Sequence, residues 1–168
     1  MSFDIFFQPC RFGGAPAEKR NPFTGKTVSG APNEPLNAAE LTAVQQILDR
    51  AKSSGPDEHG CYVVDLSDGG TAEVFTGDLA TGCMVAMRRI TSDLFQFLYD
   101  LLEAGNWVLL PAMEDGAAIT ASPECLKGVP ADFPKIVVCG SAEELRVVLT
   151  PGVNAWQKYR DQVVRDTK

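Results

Sequence analysis

Short strand-like runs divided by tight turns, with only a few helix-length patterns among them, constrain the fold of this chain most. Residues 2–8 alternate, with Phe3, Ile5 and Phe7 on one side and Asp4 and Gln8 on the other. Phe6 breaks the alternation, so both faces of this strand are expected to be partly covered. Residues 61–66 and 71–76 flank Ser67-Asp68-Gly69-Gly70, which reads as a hairpin. Residues 77–82 turn the chain into a further strand over 83–90. Residues 106–111, 117–121 and 135–139 read as three more strands, and 122–134, with three prolines, as irregular chain with one helical turn at 124–127.

Helical patterns fall between these runs. Asn37 followed by Glu40 resembles a capping box with Asn in the place of Ser or Thr. Leu41, Val44, Ile47, Leu48 and Ala51 then form one apolar stripe, ended by a Gly-Pro turn within 53–60. Thr91 or Ser92 opens a second helix with Leu94, Phe97, Leu98, Leu101 and Leu102 on its buried face, and Gly105 stops it. Phe95 widens that stripe, so this helix is expected to be the most buried. Ser141 caps a third helix, with Glu143 and Glu144 in the first turn, where negative charge is favourable. Pro151 is expected to separate it from a fourth, on which Val153, Trp156, Tyr159 and Val163 face the core. Core packing is likewise the expected role of Trp107.

This order predicts a single α+β domain over residues 1–168, with one mixed or antiparallel sheet of about six or seven strands and about four helices packed on it. A chain of this length can hold a core without disulfides or metals. The five cysteines (Cys10, Cys61, Cys83, Cys125, Cys139) include no C-x-x-C pair and are expected to be reduced core residues of a cytoplasmic protein. Residues 1–8 are too short, and at Asp4 too polar, for a signal peptide. No apolar run approaches the roughly 20 residues that span a bilayer.

The chemistry available is narrow. His59 is the one histidine, so a two-His metal site is impossible and a Ser-His-Asp site has a single candidate base. His59 and Cys61 share a strand face, yet neighbours two apart on a strand are near 7 Å between Cα atoms, which is loose for a catalytic dyad. A surface histidine is the expected role. Gly25-Lys26-Thr27 has the tail of a phosphate loop, but Arg20 stands where the first glycine belongs and no helix can follow through Pro32. No catalytic residue, metal or cofactor is assigned.

Two groups of charges remain. Residues 9–35 form a long Gly- and Pro-rich loop. Between Arg11 and Gly30, Arg11, Lys19, Arg20 and Lys26 outnumber Glu18, and they could gather around an anion. The plainer reading is a solvated loop pairing with the acidic body. The net charge is −7, which disfavours nucleic acid and anionic membranes as partners and suits a basic one. Asp65, Asp68, Asp78, Glu114 and Asp115 recur at or near turns. They are ordinary turn residues one by one, and would form an acidic binding rim if the turns share one end of the sheet. The expectation is therefore a noncatalytic, cytoplasmic protein-binding module of the immunity or inhibitor type, with a basic protein as partner. The alternatives are an anionic-ligand protein or enzyme with its site at the 9–35 loop, and a module that self-associates through an exposed strand edge.

Overall fold

A computed structural model of the chain describes residues 2–11, 17–20, 27–30, 34–112, 117–127 and 135–166, without the side chains of 17–20, 27–30 and 166. The strands are β1 (Phe3–Pro9), β2 (Ala17–Arg20), β3 (Thr27–Gly30), β4 (Lys52–Ser54), β5 (Cys61–Asp65), β6 (Thr71–Phe75), β7 (Cys83–Arg89), β8 (Trp107–Pro111), β9 (Ala118–Thr120) and β10 (Ile136–Val138). The helices are α1 (Ala38–Ala51), α2 (Ser92–Ala104) and α3 (Ala142–Asp166), with 3-10 turns at Leu79–Thr81 and Pro123–Lys127. Eight strands form one mixed sheet in the order β10-β9-β8-β1-β7-β6-β5-β4, and β2 and β3 form a separate hairpin. Within the sheet only β9 and β10 run parallel. The α+β class is as expected.

Alternation selects the faces of this sheet. Phe3, Ile5 and Phe7 of β1 are buried, as are Tyr62 and Val64 of β5, Val74 of β6, Val85 and Met87 of β7, Trp107 and Leu109 of β8, and Ile119 of β9. They join Val44, Ile47 and Leu48 of α1, seven residues of α2, and Leu145, Leu149 and Val153 of α3 in one core. All three helices therefore cover the same sheet face. The central one is α2, which packs on α1, α3 and β8. Each fully buried aliphatic chain such as Ile5, Leu98 or Leu109 contributes about 2 kcal/mol. The expected box caps α1: Asn37 Oδ1 accepts from Ala39 and Glu40 N–H, and Glu40 returns a bond to Asn37 N–H. Gly105 is the C-cap of α2, and no side chain fits there, since the Trp107 ring has Cδ2 2.6 Å from where a Cβ would stand.

Three expectations are corrected. Among the described residues there are three helices, not four, because α3 runs through Pro151. Leu145, Leu149, Val153 and Trp156 keep one apolar stripe across the proline, and their packing holds the helix together despite the lost backbone bond. The 9–35 segment is not loop throughout, since it contains β2 and β3. Lys52–Ser54, which overlaps the start of the turn expected over 53–60, adds β4 to the edge of β5, which brings the sheet to eight strands.

The cysteines also differ from expectation. Cys10 and Cys125 form a disulfide, and Cys61, Cys83 and Cys139 are free. The bonded pair is buried with Val108 and Ala118 in a small second cluster on the sheet face away from the helices. The argument for a reducing compartment rested on five free thiols and no longer holds.

Candidate functional site

The antiparallel pairings set which turns meet. The β5–β6 turn lies at the end of the sheet where β1 begins and β8 finishes, and the β6–β7 turn lies at the opposite end. Asp65 and Asp68 therefore share one end, and Asp78 stands at the other. Glu114 and Asp115 lie outside the described residues.

Asp68 has a local task. Its Oδ1 accepts from Thr91 Oγ1 at 2.8 Å and from Gly70 N–H at 3.0 Å, and its Oδ2 accepts from Asp93 N–H at 2.9 Å. Thr91 is the N-cap residue of α2 yet makes no side-chain bond to its own helix, so Asp68 caps α2 from another turn. Ser67 Oγ adds a bond to Asp93 Oδ2 at 2.7 Å. Gly70 is required here, since a Cβ would stand 2.2 Å from Thr91 Oγ1. Desolvation acts to raise the Asp68 pKa, but the bonds from Asp93, Thr91 and Gly70 prevail and hold it below the ordinary aspartate value. Asp78 caps the 3-10 turn through Ala80 N–H. Asp57, a turn residue before β5, accepts from Cys61 and His59 N–H, and those bonds lower its pKa.

The basic group is divided as well. The Arg11 guanidinium is held by both Glu40 oxygens at 2.5 Å, with Pro35 O at 3.4 Å and Glu34 at 3.9 Å. Glu34 N–H also donates to Arg11 O at 2.8 Å, so the excursion between residues 11 and 34 leaves and returns at one point. Arg11 is thus engaged in clasping the base of this arm to α1. Lys19 and Arg20 lie on β2, where the backbone alone is described, and Lys26 lies outside the described residues. The His59 side chain is 77% exposed and contacts Glu58, while the Cys61 thiol points to Tyr62 O. Burial first, then Asp57 and Glu73, push that thiol's pKa up, away from nucleophilic character.

The sheet face opposite the helices offers a different surface. Phe6 pairs with Leu110 on β8 and Met84 on β7, Met84 pairs with Phe75 on β6, and Phe75 pairs with Cys61 on β5. These residues form an apolar row across five adjacent strands. The next row runs Asp4, Ala86, Glu73, Val63. Phe6, Val63 and Phe75 are 41, 38 and 37% exposed. Beside the apolar row Arg88 pairs with Glu73, while Asp65 on β5 is exposed.

Cavities elsewhere are open hollows. One of about 470 Å³ lies between α1 and the Asp78 turn, and one of about 710 Å³ lies between Phe3, Ala112, Trp156 and Tyr159. Among the described residues no three His, Cys, Asp or Glu side chains converge as a metal site, and no helix is long and apolar enough to cross a membrane. Compared with protein-family models, curated proteins and solved structures, the chain matches none.

Proposed function

We propose that this protein is a noncatalytic protein-binding module, and that the helix-free face of its sheet receives a partner with an apolar centre and a basic rim. The observation that carries this reading is the exposed Phe6 and Phe75, joined in one row by the half-buried Met84, with the exposed Val63 beside them. Large apolar side chains grouped in the exposed part of a sheet face mark an interaction surface more often than singly scattered ones. The net charge of −7 and the exposed Asp65 supply the complementary field, which speeds encounter and rejects like-charged partners. Asp68 and Asp78 act as caps in this reading and are not contact residues.

The test is native mass spectrometry of the protein purified at low salt from its source, followed by hydrogen exchange on any complex. A complex of fixed stoichiometry is expected, with protection along β1, β6 and β7. Phe6→Asp and Phe75→Asp, each folded, should weaken it by at least roughly a hundredfold, as burying an unpaired charge at an interface centre costs several kcal/mol. A complex that survives both changes removes this face as the site.

A further inference from the structure

We infer that β10 is a pairing edge through which a second copy of this chain extends the sheet. The sheet has two edges and treats them differently. β4 is three polar residues, Lys-Ser-Ser, with a register shift against β5, and polar, bulged edges resist pairing with another chain. At the other end β10 is Ile-Val-Val. Ile136 and Val138 are each 37% exposed, and Val147 of the neighbouring helix is 59% exposed. Val137, Val138, Val147 and Val148 line a groove of about 250 Å³ between this strand and α3.

The backbone of β10 is arranged for a further strand. Lys135 O accepts from Ala118 N–H and Cys139 N–H donates to Thr120 O, so residues 135, 137 and 139 direct their peptide groups to β9. By alternation, Ile136 and Val138 direct N–H and C=O outward, and among the described residues no strand lies beyond them. These groups are self-complementary. With two copies antiparallel about an axis at Val137, Ile136 of each stands opposite Val138 of the second copy, and every outward N–H meets an outward C=O. The charges agree with this arrangement. Lys135 precedes the strand, and the first turn of α3 that follows it carries Glu144 beside a Glu143 already paired with Arg146, so each lysine comes beside Glu144 of the other copy. An edge of three residues buries little area, so the dimer is weak, with a dissociation constant on the order of 10 µM.

Sedimentation equilibrium of the full chain from about 1 to 200 µM brackets that constant. The mass is expected to rise from one copy toward two. Val138→Pro deletes one outward donor and none of the bonds to β9, a substitution edge strands tolerate, and it should leave one copy at every concentration. Ile136→Lys carries the same expectation if the proline variant fails to fold. Lys135→Glu and Glu144→Lys should each raise the dissociation constant about threefold, and the two together should restore it. A wild-type chain that stays single throughout overturns the inference. So does a dimer that survives Val138→Pro, or a β10 edge that takes up a strand of another protein while the free chain remains single. The result does not depend on the helix-free face, whose partner is tested separately.

Discussion

Glu40 shows how one side chain joins local structure to the wider chain. It completes the cap of α1 and also holds Arg11, which pins the base of the 11–34 excursion. The hydrogen bond from Arg11, its largest influence, lowers its pKa below the ordinary glutamate value, against a smaller desolvation effect. A carboxylate whose folded pKa is depressed adds stability above its unfolded pKa and loses it as pH falls through the folded one. Glu40→Gln keeps the capping bond but removes the charge facing Arg11. The variant is expected to be less stable by about 1 kcal/mol at neutral pH. The gap should stay constant above roughly pH 5 and close below it. Urea unfolding of both proteins across pH 2–7 checks this; a gap that persists at the acid end would show that Glu40 acts through packing. The capping half of this role was legible, because Asn37 and Glu40 stand three apart. The Arg11 half was not, because its partner lies 29 residues away. Asp68 repeats the lesson: a turn residue by sequence, it caps a helix that begins 24 residues later.

At the scale of elements, periodicity carried most of the information. Alternation located β1, β5, β6 and β7, and the stripes located α1 and α2. β4 escaped because Lys52–Ser54 has no apolar side chain to mark a face and is held by backbone pairing to β5. The row from Leu110 to Cys61 escaped for another reason. Each member is visible in its own strand, but their adjacency follows from the order β8-β1-β7-β6-β5, which one-dimensional spacing does not encode. Pro151 misled because an interior proline ordinarily ends a helix at a cost of about 3 kcal/mol. The apolar stripe of α3 bears that cost and continues. Pro151→Ala should restore an N–H to bond Val147 O and stabilise the fold by about 1–2 kcal/mol, less than the full helix penalty because proline also stiffens the unfolded chain. A higher urea midpoint with an unchanged slope is the expected signature. An unchanged midpoint would mean that the helix already accommodates the proline without loss.

For the whole molecule, the disulfide is the longest-range constraint. It joins the residue after β1 to the 3-10 turn after β9, across 115 residues of sequence. Five cysteines gave no pairing by spacing alone, because connectivity depends on which strands become neighbours. Here β1 and β9 both flank β8, which brings Cys10 and Cys125 together over Val108 and Ala118. Cross-linking a loop of this size limits the unfolded ensemble and stabilises the fold by about 5 kcal/mol on the chain-entropy account. Reductant is therefore expected to lower the melting temperature by about 14 °C, given the entropy of unfolding of a domain this large. Cys10→Ala with Cys125→Ala should lower it at least as much and abolish the response to reductant. The comparison also tests the pairing itself. Alkylation of the unreduced, denatured chain should modify the three free cysteines, Cys61, Cys83 and Cys139. Modification of all five cysteines, with a melting temperature indifferent to reductant, would show the two sulfurs to be reduced neighbours. The hydrophobic core would then hold the β1 and β9 regions together unaided.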